Sequence, residues 1–480
     1  MKVRATIACA LASTTVLALG VAPAEASTPA GAPAGGVAGT IGFRQRLQPI
    51  DGLGFASPFQ RSTLIRGDRG LSPESTRAIL DLLFSRETGA GSSILRIGVG
   101  SSTDDVYDHM KTILPTDPGG PAGVPQYVWD GDDGAQVWLV KQAQAYGVRR
   151  FFADAWSAPG FMKTNGTDAN GGELCGVPGT ACASGDWRAA YADYLVRYLR
   201  FYRQEGIRIT DIGFTNEPDW TASYASMRFT PEQAVDFIKV FGPTLRRSGL
   251  GTQLVCCDSF GWEHQAPYSA AIEADPAADR YVKTHTAHFY ASRASGPLPT
   301  DARVWMSEWT PNGNVWNEAW DDGTPASGFS MAESIHEAFA VGRATGYVSW
   351  VGASLGATRA FIQIATAGDG YRVSKRLWAF AGYSRFVRPG AVRVPATVAD
   401  PDVKLTAFRN ADGSMVVELL NAGTATVNTT FTTDVGIHHA TTYLTDETHS
   451  LERIGGSRVP GGHRVSAQLP ARSLTTLVLR

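Results

Sequence analysis

The chain has 480 residues, of which 43% are hydrophobic and 18% charged, and its formal net charge at pH 7 is -2. This length and composition are typical of a globular enzyme with one large domain and one smaller one. The near-neutral charge and the absence of a long Lys/Arg run exclude a strong electrostatic attraction to nucleic acids or anionic membranes, so we expect neither as a partner. A neutral polymer is the better candidate.

Residues 1–26 have the pattern of a secretory signal peptide. Lys2 and Arg4 precede an apolar stretch, and Ala24-Glu25-Ala26 forms a cleavage site of small residues. No later stretch supplies the ~20 consecutive apolar residues of a membrane span. We therefore expect a secreted, extracellular protein. Residues 27–39, which are mostly Ala, Gly and Pro, are predicted to be a flexible leader.

Short β-branched or aromatic runs alternate with helical patterns along the middle of the chain, which is typical of a parallel sheet built from βα units. Eight strands closing on themselves predict a (β/α)8 TIM barrel over residues 51–390. The predicted strands are 52–55, 94–99, 150–155, 212–216, 254–258, 284–290, 304–308 and 347–351. The predicted helices are 73–84, 136–146, 187–205, 231–246, 266–274, 331–344 and 374–386, whereas the connection 291–301 is too short and Pro-rich for a helix.

After residue 390 the helical periodicity ends, and short alternating runs predict a C-terminal β-sandwich over residues 391–480. Residues 40–50, which precede the barrel, also alternate, and they are predicted to contribute a strand to this sandwich. The predicted fold class is therefore α/β, a TIM barrel with a side β-sandwich domain.

Two glutamates, Glu217 and Glu308, close the predicted fourth and seventh barrel strands. Active sites of such barrels lie at the carboxyl ends of the strands, so both carboxylates are expected across one opening. Two carboxylates suffice to cut a glycosidic bond, because one protonates the leaving oxygen while the other attacks the anomeric carbon. Asn216, directly before Glu217, is a candidate donor to a sugar hydroxyl beside the reacting carbon.

Other side chains are candidates for positioning these carboxylates or binding a substrate. Arg96 lies inside an apolar strand, where a cation is costly unless it meets an anion such as Glu308. Tyr290, at the end of the sixth strand, is a candidate donor to the same carboxylate. The alternatives are a structural ion pair for Arg96 and plain packing for Tyr290. Tryptophans that follow strand ends are candidate stacking surfaces for sugar rings, namely Trp156, Trp220, Trp309 and Trp350.

The cysteines leave two pairings open. Cys175 and Cys182 bracket a Gly/Pro-rich loop and are either disulfide-bonded or two free thiols. Cys256 and Cys257 are adjacent, and because a bond between neighbours needs a strained ring, we expect two buried thiols on a strand. Neither pair has the spacing of zinc ligands, and no metal site is expected.

Three further motifs point to other functions. Residues 352–356 match the nucleophile elbow of serine hydrolases, but few βα units follow to carry an Asp and a His. His285 and His288 are spaced like a short metal motif, yet on a strand they point to opposite faces. Residues 98–100 lack the third glycine of a dinucleotide-binding loop. We set these three interpretations aside.

Several longer motifs, taken in order, resemble glycoside hydrolase family 30, most closely its xylanase-containing subfamily 7. They lie at residues 127–133, 153–160, 216–218 and 374–380, so the similarity covers nearly all of the chain after the signal. The resemblance implies a barrel fused to a side β-sandwich and retaining hydrolysis. It also implies Glu217 as the acid/base, Glu308 as the nucleophile, and no metal or other cofactor.

The resemblance also suggests a substrate. Similar family members act on β-1,4-xylan, often glucuronoxylan, and some use an Arg in the loop after the first strand to hold the uronic acid branch. Arg61 lies in that loop, and its guanidinium suits a carboxylate; a surface or domain-interface arginine is the alternative. We expect a monomeric xylanase or glucuronoxylanase. An endo-β-1,6-galactanase, another family 30 β-glycosidase, and an inactive polysaccharide-binding protein are the alternatives.

Overall fold

The computed structural model describes residues 36–480 apart from residues 107, 312–314, 357–359 and 460–461. The predicted signal peptide and most of the predicted leader lie outside the described residues. Among the helices of the described segments, none is both long enough and apolar enough to cross a membrane.

Strand β1 (Val37–Ile41) is followed by eight parallel strands that close into a barrel, as predicted. Five side chains, one from each of five strands, fill the barrel interior, so the barrel has a packed centre. These side chains are Ile94, Phe152, Val255, Trp305 and Val348. The barrel strands are β2 (Gly52–Ala56), β3 (Ile94–Val99), β4 (Arg150–Ala155), β5 (Asp211–Gly213), β6 (Gln253–Ser259), β7 (Val282–His288), β8 (Arg303–Glu308) and β9 (Gly346–Ser349).

Helices cover the outside of the barrel, which is why its strands are buried on both faces and consist of nearly continuous apolar runs. Two short helices, Arg61–Arg66 and Pro276–Asp279, have no counterpart in the predicted pattern. Residues 289–302 contain no helix, as predicted. The helices are α1 (Arg61–Arg66), α2 (Pro73–Phe84), α3 (Gln136–Ala145), α4 (Arg188–Gln204), α5 (Pro231–Arg247), α6 (Trp262–Glu273), α7 (Pro276–Asp279), α8 (Gly328–Ala340) and α9 (Lys375–Phe386).

Two antiparallel-rich sheets form the second domain. After a small sheet of β10 (Ala353–Leu355), β11 (Ile362–Ile364) and β12 (Tyr371–Val373), the sandwich strands follow in chain order. They are β13 (Val392–Val394), β14 (Ala396–Val398), β15 (Val403–Arg409), β16 (Met415–Asn421), β17 (Val427–Thr433), β18 (His439–Thr445), β19 (Ser450–Arg458), β20 (Arg464–Leu469) and β21 (Ser473–Leu479). One sheet has the order β13-β15-β16-β21-β18-β19 and the other β14-β1-β17-β20.

The strand before the barrel does join the sandwich, but it lies earlier than the sequence pattern indicated. The strand is Val37–Ile41, paired parallel to β17 and antiparallel to β14, and it overlaps the predicted segment 40–50 only at its last two residues. A turn in which the Gln45 N–H donates to the Gly42 carbonyl (3.1 Å) ends it. Residues 37–39 of the predicted leader therefore belong to a sheet. Near the end of the predicted segment Pro49 forms an antiparallel bridge with Val392 of β13, so this part also pairs with the sandwich.

Barrel and sandwich share one hydrophobic core, which joins helix α9 to strands β15, β16, β19 and β21. Phe386 of α9 stacks against Tyr443 with ring centroids 4.7 Å apart. The Trp320 indole N–H donates to the Arg472 carbonyl at 2.6 Å. Because the two domains bury apolar surface against each other, we expect them to unfold together.

The cysteines form two disulfides. Cys175 and Cys182 are bonded, with Cα atoms 5.7 Å apart. Cys256 and Cys257 are also bonded, so the expectation of two free thiols was wrong. The alternation of a regular strand would separate such neighbours, but here a cis peptide bond joins them and their Cα atoms lie 3.0 Å apart.

The serine hydrolase motif has a structural role. Ser354 lies inside strand β10 and is buried. A nucleophile elbow requires an exposed serine on a sharp turn between a strand and a helix. The segment therefore has neither the turn nor the exposure of a serine nucleophile.

Glu418 is a buried acid at the junction of the two domains, and it makes stability depend on pH. Its Oε2 accepts from the Thr476 hydroxyl at 2.7 Å, and its Oε1 has no hydrogen-bond partner among the described residues. Burial raises the pKa of Glu418 well above its ordinary value. The folded state therefore keeps a proton that the unfolded chain releases above about pH 4.3, and stability falls as pH rises from there toward the folded pKa.

We expect Glu418→Gln to remove the loss of stability that follows ionisation of the buried acid, because the amide stays neutral. At pH 8 the variant should be more stable than the parent by about 1.4 kcal/mol or more, the free energy equivalent to a one-unit rise in pKa. The gain should shrink toward pH 4. Thermal unfolding followed by circular dichroism between pH 4 and 8 measures it. A difference that is independent of pH would contradict the burial argument.

Candidate active site

The two predicted glutamates reach the barrel mouth by different routes. Glu308 is the last residue of β8. Strand β5 ends at Gly213, earlier than predicted, so Glu217 stands on the loop beyond it. Its backbone has a positive φ of 49°, a conformation uncommon for residues other than glycine, and its N–H donates to the Asp258 carbonyl at 2.8 Å. This hydrogen bond ties the loop after β5 to strand β6.

Glu217 and Glu308 face each other, with carboxylate oxygens within 4.8 Å of one another. Each side chain is almost completely buried, and both line one cleft of about 450 Å³. Retaining glycosidases hold their carboxyl groups about 5–5.5 Å apart, whereas inverting enzymes need about 6.5–9.5 Å to admit a water molecule. The observed separation fits the retaining geometry.

Arg96 is the buried centre of the site. Its Nη1 contacts Glu308 Oε2, and its Nη2 donates to Asp154 Oδ2 and to Asn216 Oδ1, each at 2.6 Å. Asp258 Oδ1 lies 3.7 Å from the same nitrogen. A fully buried cation is tolerated only when its charge and its N–H groups are compensated. Although burial lowers the pKa of Arg96, the surrounding carboxylates raise it above its ordinary value, so Arg96 stays charged.

His288 bridges the carboxylates on the other side. Its Nδ1 lies 3.0 Å from Glu217 Oε1, and its Nε2 lies 3.2 Å from Asp258 Oδ1 and 3.9 Å from Glu308 Oε2. Burial lowers the pKa of His288, but the neighbouring carboxylates outweigh it and raise the pKa to about 10. The imidazole is therefore a second buried cation at neutral pH.

Each acid of the site has a different environment. Burial raises the pKa of Glu217, and this suits a proton donor. Burial and the charge of Asp258 raise the pKa of Asp154 well above its ordinary value. Burial also acts on Asp258, but Arg96 and His288 outweigh it and lower its pKa. The Tyr290 hydroxyl donates to Glu308 at 2.9 Å and Arg96 contacts the same carboxylate, so both side chains orient it.

Glu217, His288 and Glu308 together offer three atoms of the kind that bind metal ions. A cation would nevertheless fit poorly among them. A doubly protonated imidazole has no lone pair to give, and the Arg96 guanidinium already places a positive charge against Glu308.

Aromatic rings form much of the cleft wall. Trp156 lies beneath Arg96, whose guanidinium carbon is 4.6 Å from its ring centroid. Phe59 meets the Trp156 ring edge-on at 5.1 Å, and Trp350 packs 6.0 Å from the same ring. The Tyr224 hydroxyl lies 3.4 Å from Glu217 Oε2. The predicted residues Trp156 and Trp350 therefore line the cleft.

Trp309 does not line this cleft, contrary to its prediction as a substrate-binding residue. It follows Glu308 directly, and because consecutive residues of an extended chain point to opposite sides, its ring faces away. The ring is buried, with Arg293 stacked over it at 4.6 Å, and it borders a neighbouring groove.

Arg61 lies at the edge of the cleft, at the start of α1. Its Nη1 donates to the Phe59 carbonyl at 2.7 Å and to Asp108 Oδ1 at 2.6 Å. The side chain is mostly buried, whereas Asp108 is half exposed. Arg61 is therefore neither an outer-surface arginine nor a residue of the interface with the sandwich.

Sequence reasoning missed Asp154, Asp258, His288 and Tyr224 as members of the site. Each of the first three lies near the end of a barrel strand, inside a run of small or apolar residues. A buried ionisable group in such a run is the signal that could have identified them.

Both domains match models of a known family. Residues 54–304 match the TIM-barrel domain of glycosyl hydrolase family 30, and residues 390–477 match the β-sandwich domain of the same family. The chain belongs to glycoside hydrolase family 30. The pair of buried glutamates is thus found in a member of a glycosidase family, and the fold agrees with the resemblance seen in the sequence.

Individual relatives of this family 30 chain differ in substrate. The catalytic domain of GH30 xylanase C from Talaromyces cellulolyticus is 36% identical, with a TM-score of 0.84 over 92% of this chain and 100% of that one. Glucuronoxylanase XynC from Bacillus subtilis is 28% identical over 62% of this chain and 67% of its own length. Endo-1,6-beta-D-glucanase BGN16.3 from Trichoderma harzianum is 25% identical over 91% of this chain and 85% of its own length. The chain spans 59% of the length of some other curated relatives.

His288 lowers the pKa of Glu217, because its Nδ1 directs a positive charge at that carboxyl group. We expect His288→Gln to raise the pKa of Glu217 and to move the alkaline limb of kcat/KM to higher pH by about one unit, equivalent to roughly 1.4 kcal/mol. The pH profile of glycosidase activity measures the shift. His285→Gln is the matched control, because His285 contacts Ser269 outside the site. An unmoved alkaline limb would show that the His288 charge does not act on Glu217.

Proposed function

We propose that this chain is a secreted, retaining glycosidase that cleaves the β-1,4-xylan backbone, with glucuronoxylan as its preferred form. The observation that carries the proposal is the pair Glu217 and Glu308, whose oxygens lie within 4.8 Å in one cleft. The similarity to the Talaromyces xylanase C domain supports xylan as the substrate. The signal pattern of residues 1–26 supports export.

In the first step Glu308 attacks the anomeric carbon. The bond from that carbon to the leaving oxygen breaks, and Glu217 gives its proton to that oxygen. Arg96 and Tyr290 orient the attacking carboxylate, and burial raises the pKa of Glu217, which favours the protonated form that donates. The product of this step is a glycosyl ester of Glu308.

In the second step Glu217, now ionised, takes a proton from water while the water oxygen attacks the anomeric carbon and Glu308 leaves. Two inversions give net retention of configuration. Between the steps the negative charge has moved from Glu308 to Glu217. His288 lies 3.9 Å from the first carboxylate and 3.0 Å from the second, so one fixed cation stabilises the charge in both places.

Asn216 directly precedes Glu217. Its Oδ1 accepts a hydrogen bond from Arg96, so the group it can offer to a sugar is its amide nitrogen, a donor. We propose that it donates to the hydroxyl next to the anomeric carbon. Hydrogen bonds to that hydroxyl strengthen in the transition state and contribute several kcal/mol in glycosidases of this type.

The preference for glucuronoxylan rests on Arg61. A uronate carboxylate that enters the cleft edge would meet the guanidinium now paired with the half-exposed Asp108. A bidentate contact between arginine and carboxylate is stronger than a single hydrogen bond. We propose that the uronate branch binds Arg61 from the cleft side.

A β-1,6-glycan is the second candidate substrate. The Trichoderma endo-1,6-beta-glucanase aligns with 91% of this chain. The catalytic pair is compatible with either linkage, because both reactions need the same two carboxylates. Reducing-sugar release from glucuronoxylan, β-1,6-glucan and β-1,6-galactan, measured in parallel, separates these substrates, and no release from any of them would indicate a protein that only binds polysaccharide.

The roles of the two glutamates are separable by chemical rescue. Glu217→Ala should lower activity on xylan by about 100- to 10,000-fold, the usual contribution of a general acid. It should retain the first step on 4-nitrophenyl β-xylobioside, whose leaving group needs no proton. Added azide should then speed turnover and give the β-xylobiosyl azide, identified by NMR.

Glu308→Ala is the matched variant for this test. It should lose turnover on both substrates, because no glycosyl ester can form. Its circular dichroism spectrum should match that of the parent. An azide product of α configuration from Glu217→Ala, or residual xylan hydrolysis by Glu308→Ala, would reverse or remove the assigned roles.

Arg61→Ala tests the uronate contact. We expect kcat/KM on glucuronoxylan to fall about 10-fold or more, since a hydrogen bond between charged groups contributes about 1.5–3 kcal/mol. Activity on arabinoxylan, which lacks the uronate, should fall less. The ratio of the two rates, measured on the same enzyme preparation, is the readout. Equal losses on both polymers would assign Arg61 to the structure of the cleft edge and not to substrate choice.

A further inference from the structure

Three aromatic rings form a row that leads from the nucleophile to the protein surface. The Tyr290 hydroxyl donates to Glu308 at 2.9 Å. The Tyr290 ring stacks on Phe260 with centroids 5.4 Å apart and an interplanar angle of 29°. Phe260 stacks in turn on Trp220 at 4.8 Å and 16°. All three rings line the cleft that holds the two glutamates.

Trp220 is 47% exposed, although tryptophan usually buries most of its large ring. Phe260 covers one side of the indole, so much of the exposed area belongs to the rest of the ring. Because Trp220 lines the cleft that holds both glutamates, its open face is available to a sugar ring bound there. Folding does not require this exposure, because the ring contributes little to the core.

The loops that carry Trp220 and Phe260 are tied together. Asp219 Oδ1 accepts from the Phe260 N–H at 2.9 Å, and Asp219 Oδ2 lies 2.6 Å from His264 Nδ1. The Trp220 N–H donates to the Glu217 carbonyl at 2.9 Å, which closes a tight turn between the two residues. The backbone of Trp220 is therefore tied to the acid/base, and stacking on Phe260 positions the indole.

This position determines which half of the substrate can reach Trp220. Glu217 delivers its proton to the leaving oxygen, so the sugar that departs lies on the Glu217 side of the cleavage point. Trp220 is on the same turn as Glu217 and is held to it by a backbone hydrogen bond. The buried Trp156, in contrast, packs with Phe59 and Trp350 and has no such link to the turn.

We propose that Trp220 is the stacking surface for a pyranose ring on the leaving-group side of the cleavage point. This inference rests on the proposed retaining reaction and adds a site for the departing chain. The apolar face of a β-linked xylose unit matches the flat indole face. The same surface binds an incoming sugar when a glycosyl ester on Glu308 is intercepted by an acceptor instead of water.

The test measures how the glycosyl ester divides between water and an acceptor sugar. Wild type, Trp220→Ala and Trp220→Tyr are supplied with 4-nitrophenyl β-xylobioside as donor and increasing xylobiose as acceptor, and the products are quantified by mass spectrometry. For Trp220→Ala we expect the ratio of transfer to hydrolysis to fall about 10-fold, which corresponds to about 1.4 kcal/mol. Trp220→Tyr, which keeps a flat ring, should recover most of the transfer.

Trp138→Ala is the matched control, because Trp138 lies on α3 in a groove on the outside of the barrel. It should leave the ratio unchanged. An unchanged ratio in Trp220→Ala, or an equal loss in Trp220→Ala and Trp220→Tyr, would overturn the proposal. A failure of the proposed function is distinguishable, because wild type would then release no 4-nitrophenol from the donor.

Discussion

The site depends on one buried cation. Arg96, on β3, meets partners from four other parts of the barrel, which are Asp154 on β4, Asn216 after β5, Asp258 on β6 and Glu308 on β8. A guanidinium taken out of water is stable only if such partners converge on it, and each partner is costly to bury without the guanidinium. Closing the barrel in the correct register is therefore the same event as assembling the site.

The buried cluster places its acids in different environments. Burial raises the pKa of Glu217 and of Asp154, whereas Arg96 and His288 outweigh burial and lower the pKa of Asp258. The two cations lie among these acids, which compensates part of the cost of burying charge. Environments that push the pKa values of carboxyl groups apart allow one site to provide both an acid and a base.

The sequence predicted the parts of this arrangement that depend on local pattern. Strand runs that are buried on both faces, and glutamates at strand ends, are visible along the chain, so the barrel, the sandwich and both glutamates were predicted. Strand ends were harder to place, because Phe214 and Thr215 continue the pattern of a strand after the ladder of β5 stops at Gly213. The roles of Asp258 and His288 arise only when strands 30 residues apart become neighbours. The hydrophobic periodicity within a single strand does not indicate that contact.

The residues proposed for catalysis and the residue proposed for substrate choice lie on different parts of the barrel mouth. Asp258 connects the loop of the acid/base to the buried cluster. Its carbonyl accepts from the Glu217 N–H, and its carboxylate contacts His288. Asp219, two residues after Glu217, accepts from the Phe260 N–H of the next loop. Glu217, the proposed acid/base, and Trp220, the proposed surface for the leaving sugar, thus belong to one hydrogen-bonded unit, which suits in-line proton delivery because a small misplacement of the leaving oxygen is costly. Arg61, at the start of α1, is outside that unit. With the branch held by Arg61 as proposed, changes near this residue alter the accepted branch without disturbing the proton transfer, and variation of loops on a constant barrel is how this fold supports different chemistries.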